Sequence, residues 1–311
     1  RVRRPAFLVG NLYAAEGAAL WAMGDYPASL AKLEESLAIR EADDPNAPIL
    51  ANTHIQIANA LMSMGRYAEG RTSMERALAV VLAVHGPAHP TTSAVENGLG
   101  VAAYHLGEFE AAEQHYRRAA EIMETALGPD NGNLLFSLGN VAEILRERGK
   151  LDEALDVQER VLRLVRANLP EMHRDTGLTL HNIAETLAAK GEHERALAEY
   201  RHALVVREQV HGPDDHYVGN TLTGLGETLH ALHRDDEATP VLERALAIRR
   251  AHDYDPIATA RTHIALANVL RADDRARSDE LVAAARRRLA DAPPALAARW
   301  ERELEALAAG R

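Results

Sequence analysis

Cysteine is absent from the 311 residues. With it go a disulfide framework, a thiolate metal site and a Cys nucleophile, and its absence fits a reducing cytoplasm, the compartment expected for this chain. Aromatic residues are scarce, at 4%, and β-branched runs are few, which argues against sheet. No apolar run approaches the ~20 residues a membrane helix needs, and no signal-peptide core is present. Positive charge is in deficit, with 35 Lys and Arg against 46 Asp and Glu, a net of −11. Nucleic-acid affinity comes mainly from neutralising phosphates, so neither nucleic acid nor membrane is an expected partner. An initiator Met is also missing. The chain opens "RVRRPAF" and is expected to be a piece of a longer protein.

What is abundant is Ala and Leu, within an apolar fraction of 47%. Small Ala lets helix axes approach and has the highest helix propensity, so closely packed helices are expected.

The chain repeats itself. "MGDYPAS", "MGRYAEG", "LGEFEAA", "RGKLDEA", "KGEHERA" and "LHRDDEA" align on Gly24, Gly65, Gly107, Gly149, Gly191 and His233, spaced 41, 42, 42, 42 and 42 residues apart, with an eroded copy near Asp274. Each Gly ends one amphipathic segment and precedes another, where a helix C-terminus often needs positive φ. Seven residues earlier a small residue stands every time: Gly17, Ala58, Gly100, Ala142, Ala184, Gly226 and Ala267. Four earlier stands Leu20, Leu61, Leu145, Leu187, Leu229 or Leu270, with Ala103 the exception. A small contact point and a large knob therefore share one helix face. Twelve residues after the Gly, Ala77, Ala119, Ala203 and Ala245 recur, with Ser36 and Val161 in two copies, which permits tight packing of the second helix.

These features resemble the tetratricopeptide repeat, two antiparallel helices per unit, over roughly Leu8 to Leu289. The usual period is about 34 residues; the longer period here adds loops such as "HGPAHP", "LGPDNG" and "HGPDDH". Gly followed by Pro stops a helix. The long form is similar to the repeats of kinesin light chains, of bacterial multidomain Ser/Thr protein kinases and of bacterial signalling ATPases. It departs from the family in lacking the frequent Trp of the first helix. The resemblance implies an all-α fold, a right-handed superhelix of about seven helix pairs. The repeats are expected near 8–48, 49–90, 91–132, 133–174, 175–216, 217–256 and 257–290. Residues 291–311 would form a C-terminal capping helix with Trp300 in the last groove. Such caps cover an apolar face that would otherwise meet water.

Catalysis is not expected. His233-Arg234-Asp235 spells the kinase catalytic triplet, but a kinase loop needs Asn five residues past the Asp, where Pro240 stands. His233 instead occupies the Gly position of a turn, and the acidic residues after it suit the first turn of a helix. No metal is expected: the loop pairs His85/His89 and His211/His216 lie three repeats apart, without a third ligand at tetrahedral spacing. No cofactor is expected either.

In the family the first helix of each unit lines a concave groove, at positions 13, 9, 6 and 3 before the Gly. Carried onto this chain, those positions and their neighbours nominate Asn52, Gln56, Asn59, Asn97, Tyr104, Asn140, Glu143, Arg146, His181, Asn182, Glu185, Asn220, Glu227, His230, Asn268 and Arg271. Recurrent amides can donate to and accept from a peptide backbone. Glu143, Glu185 and Glu227 form an acidic row that would favour Lys or Arg in the occupant. The expectation is a non-catalytic scaffold holding a protein segment, within a bacterial signalling protein such as a Ser/Thr kinase or, alternatively, as the sensor arm of a signalling ATPase.

Overall fold

A computed structural model describes residues 5–251, 255–292 and 294–308. Among them are fifteen α-helices and no strand: α1 (Pro5–Ala22), α2 (Tyr26–Asp43), α3 (Ile49–Ser63), α4 (Tyr67–His85), α5 (Pro90–His105), α6 (Phe109–Leu127), α7 (Leu134–Glu147), α8 (Leu151–Asn168), α9 (Arg174–Ala189), α10 (His193–His211), α11 (His216–Ala231), α12 (Asp235–Ala251), α13 (Pro256–Leu270), α14 (Arg275–Leu289) and α15 (Pro294–Ala308). No helix among the described residues is long and apolar enough to cross a membrane.

The chain divides into two compact units, 1–157 and 158–311, with the division falling inside α8. In the first unit α1 packs on α2, α3 on α4 and α5 on α6, and α3 also touches α1 and α5. In the second, α9 packs on α10, α11 on α12 and α13 on α14, while α11 touches both α9 and α13, and α15 rests on α13 and α14. Odd-numbered helices thus form an inner row in each unit, which follows from hairpins stacking in sequence order.

The turns inside the hairpins share one chemistry. After α3, Gly65 takes φ +76°; its N–H donates to the Met62 carbonyl at 2.9 Å, and the Arg66 N–H to the Leu61 carbonyl at 2.9 Å. These bonds satisfy carbonyls that a helix end otherwise leaves bare, and they require a left-handed residue. The same six-residue closure joins Glu108 to Ala103, Lys150 to Leu145, Glu192 to Leu187 and Arg234 to Leu229, each at 2.9 Å. At the last of these the left-handed residue is His233, φ 58°, alone among the described non-glycine residues in having positive φ. The expected role of His233 as a turn residue is observed.

Small-on-large packing sets how closely paired helices approach. A Cβ at Gly100 would lie 2.5 Å from the Tyr116 ring. Ala58, Ala77, Ala119, Ala184, Ala203 and Ala245 are fully buried, as are the knobs Leu145 and Leu187 to within 1%. Each such Leu contributes about 1.5–3 kcal/mol through its removal from water. Two residues after the turn glycines Gly107 and Gly65, Phe109 is 38% exposed and Tyr67 stacks face to face on His105 at 4.2 Å. They close the turn from outside.

Candidate functional site

The inner helices carry the nominated groove residues, and the two units treat them differently. In the first unit, α3 presents Asn52 and Asn59 exposed, with Gln56 half-buried between them. Their i, i+4, i+7 spacing puts the three amides on one stripe. The Gln56 Oε1 has no hydrogen-bond partner. On α5 the outcome is different. Asn97 is only 5% exposed; its Nδ2 donates to Ser137 Oγ at 2.9 Å, and the Asn140 Nδ2 reaches its Oδ1 at 3.4 Å. Asn97 therefore ties α5 to α7. Tyr104 is half-buried, edge-on to His105 at 5.4 Å, with its hydroxyl pKa raised by burial and then by Glu147 and Glu143. Glu143 is exposed and Arg146 half-buried, the latter 3.3 Å from Glu147.

In the second unit the acidic row meets an internal cation. Arg261, on α13, donates from Nε to Glu227 Oε1 at 2.9 Å and from a terminal nitrogen to Glu227 Oε2 at 2.6 Å. Its other terminal nitrogen reaches Glu185 Oε1 at 3.1 Å. One guanidinium thus spans α9, α11 and α13. Burial works against its charge, but Glu227 and then Glu185 outweigh that and hold its pKa well above the ordinary value. The Trp300 ring lies 6.0 Å from the same guanidinium, so α15 closes over this point, as expected for Trp300. Glu303 on α15 has its carboxyl pushed up by burial and by Glu227. A cavity of about 240 Å³ remains, lined by His181, Glu185, Asn220, Thr223, Arg261 and Trp300 among others.

The remaining nominees have local duties. His181 is 8% exposed, with Nε2 3.6 Å from Glu185. Asn182 is half-buried and its backbone carbonyl accepts from Gln158 at 3.2 Å. The Asn220 Oδ1 accepts from Arg249. His230 Nδ1 lies 2.6 Å from Asp235 Oδ1, so the Asp of the kinase-like triplet closes the α11–α12 turn, while Arg234 pairs with Glu237. Asn268 and Arg271 are half-buried near the end of α13.

Four arginines escaped the sequence reading. Arg40, Arg207 and Arg249 all lie sixteen residues after the turn position and are 3–5% exposed. Arg40 donates to Asn11 at 2.7 Å and to Thr53; Arg207 donates to the Tyr217 carbonyl at 2.9 Å and to Thr221 Oγ1 at 2.7 Å. Burial pushes the Arg207 pKa down to about 10. Each pins the end of a second helix to an inner helix. The fourth, Arg261, is the residue thirteen before Asp274, the groove register carried one repeat further. Recurrence in register was a signal available for the first three; Arg261 stands alone at its position.

Among the described residues no three His, Asp or Glu form a metal-holding group. What the fold defines is a repeat protein of stacked helical hairpins. The tetratricopeptide repeat profile matches residues 49–125, 91–167 and 175–251, and the chain belongs to that family. Tetratricopeptide repeat protein 19, mitochondrial, of Rattus norvegicus is 25% identical over 164 residues, half of this chain and 44% of that protein. The chain thus aligns with less than half the length of that relative. Solved structures share the fold: kinesin-light-chain TPR-like repeats of Podosopora anserina (18% identity, TM-score 0.59, 66% of this chain and 97% of that one); a signal transduction ATPase of Pyrococcus horikoshii with a tetratricopeptide repeat sensor (14%, 0.70, 88% and 41%); and a Rap protein complexed with Competence and Sporulation Factor (18%, 0.60, 96% and 78%). The kinesin-light-chain-like character expected from the repeat period is therefore observed at the level of fold.

Proposed function

We propose that this chain is a non-catalytic scaffold that holds an extended protein segment along its inner helices, as part of a bacterial signalling protein of the multidomain Ser/Thr kinase type. The observation that carries the reading is the amide stripe of α3. Asn52, Gln56 and Asn59 sit on the inner row, and Asn is a poor residue for a helix interior, so its recurrence there has a cost that packing does not offset. An amide can pair with both the N–H and the C=O of a passing backbone, which grips a chain with little regard to its side chains. The Rap protein, which shares the fold, is complexed with Competence and Sporulation Factor, which supports a ligand-holding role.

The acidic row takes a different part from the one its spacing suggests. In the second unit a basic side chain would have to displace Arg261 from Glu185 and Glu227. The α3 stripe is therefore the better anchor, and a basic occupant is not required. A second reading, the sensor arm of a signalling ATPase, draws on the match to the Pyrococcus horikoshii protein over 88% of this chain.

Screening the protein against an array of extended peptides, and repeating the screen with N52A/Q56A/N59A, tests the reading. A backbone hydrogen bond is worth about 0.5–1.5 kcal/mol, so losing three should weaken captured peptides at least tenfold with helicity unchanged. Equal retention by the triple variant would remove the stripe from the account.

A further inference from the structure

The loop before α7 holds the dipeptide Asn131-Gly132, and α5 holds the same dipeptide at Asn97-Gly98. Asn before Gly is the pairing in which a side-chain amide is most open to attack by the next backbone nitrogen, because Gly has no Cβ to obstruct the approach. By sequence the two sites rank alike. Their surroundings differ.

Asn97 is locked. It is buried, its Nδ2 donates to Ser137 Oγ at 2.9 Å, and the Gly98 N–H lies in the interior of α5, where it belongs to the helix ladder. The Asn131 side chain is half-buried in a loop and engaged through Oδ1, which accepts from the Asn133 N–H at 2.9 Å. Its Nδ2 and the Gly132 N–H make no hydrogen bond among the described residues. The bond from Asn133 closes a ring around the Gly132 nitrogen, so it folds the carboxamide back over the atom that would attack it. It also draws electron density from Cγ and stands ready for charge developing on Oδ1, as an oxyanion donor does. The N-terminus of α7 adds the positive end of its dipole. Main-chain bonds hold this arrangement, from the Leu134 N–H to the Asn131 carbonyl at 3.0 Å and from the Leu135 N–H to the Gly132 carbonyl at 3.1 Å.

We propose that Asn131 is a site of spontaneous modification, where the side-chain amide closes on the Gly132 nitrogen and the isoaspartyl product loosens the start of α7. The Gly132 nitrogen attacks Asn131 Cγ. The N–Cγ bond forms, the Cγ–Nδ2 bond breaks, and Nδ2 leaves as ammonia with the proton from Gly132. Water then opens the succinimide at either carbonyl, restoring the Gly132 N–H and giving aspartate or isoaspartate. Nothing is oxidised or reduced. The two products have different consequences. Aspartate suits the position: Asp215 stands in the same register before α11, and its Oδ1 accepts from the Tyr217 N–H at 2.8 Å. Isoaspartate lengthens the main chain by a methylene just ahead of Leu134, which is fully buried. The site is separate from the α3 stripe and does not depend on it.

Incubation at mildly alkaline pH, below the melting temperature and sampled over weeks, tests the proposal. Peptide mapping by mass spectrometry locates the modified residue, and enzymatic carboxyl methylation counts the isoaspartate. In the folded protein Asn131 should convert at least about 100-fold faster than Asn97, because Gly98 reacts only when α5 opens. In urea the two should converge to within about threefold, since the unfolded chain restrains neither amide. N131Q, whose ring would need one more atom, should stay unmodified at this position. Hydrogen exchange at Leu134, Leu135 and Phe136 should rise about tenfold in the isoaspartyl fraction and stay at the parent level in N131D. Asn131 converting no faster than Asn97 in the folded protein would overturn the proposal. A gap that persists undiminished in urea, or modification at this position in N131Q, would do so too. Unchanged exchange in the isoaspartyl fraction would overturn the loosening of α7.

Discussion

Replacing Arg261 with Met should separate the energy of its two acidic contacts. At about 4 Å between charge centres and an effective dielectric near 20, each pair has roughly 4 kcal/mol of Coulomb attraction. Solvent and desolvation cut that down: the side chains of Arg261 and Glu227 are 28% and 34% exposed, and fully exposed pairs yield only about 0.2–1 kcal/mol. The bidentate geometry lies above that range, so a double-mutant cycle with E227Q should give a coupling of about 2 kcal/mol. The cycle with E185Q should give about 1 kcal/mol, because Glu185 receives a single contact. The chain has two Trp, Trp21 in the first unit and Trp300 in the second, so in a W21F background urea unfolding followed by fluorescence reports on the second unit. Couplings should shrink in 1 M salt, where charges are screened within ~3 Å. A Glu227 coupling below about 0.5 kcal/mol, or a Glu185 coupling that exceeds it, would refute the bridging role.

His233→Gly should stabilise the second unit by about 0.5–1 kcal/mol, because Gly takes positive φ without a Cβ penalty; G191A should destabilise it by about 1 kcal/mol, and urea midpoints check both. Glu113, 6% exposed, has burial raising its pKa, but hydrogen bonds from Lys150 and Arg148 outweigh that and leave it below the ordinary value. A carboxylate depressed in the fold stabilises above its unfolded pKa and loses that contribution as pH falls through its folded one. Stability of the first unit should therefore fall below about pH 4.5, and E113Q should flatten that dependence; an unchanged acid limb would count against the cluster. Removing residues 291–311 uncovers the surfaces under Leu304 and Leu307, 1% and 5% exposed, and should raise hydrogen exchange in α13 and α14. A truncated chain with undiminished protection would deny α15 its covering role.

Much of the fold was legible because it is dictated over short spans. The turn at His233, the glycine turns before it, the buried Ala and Leu positions and the Gly-Pro stops all follow from one residue's φ or one helix face. The same reasoning fared unevenly on the groove. Asn52 and Asn97 look equivalent as helix-interior amides, yet Asn52 faces water while Asn97 is spent on Ser137, forty residues away. Asn220 is taken by Arg249, 29 residues away. Helical periodicity says which face a residue occupies, and says nothing of which neighbour from another repeat reaches it first.

From the sequence alone came the hairpin unit, its count and its family, because each depends on contacts within about forty residues that recur in register. Only tertiary packing decided that Arg261 reaches Glu185 across 76 residues of chain as well as Glu227, and that three other arginines are buried behind the inner row. Electrostatic pairing depends on distance in space rather than along the chain, and stacking brings remote charges within bonding distance without leaving a mark in any single repeat.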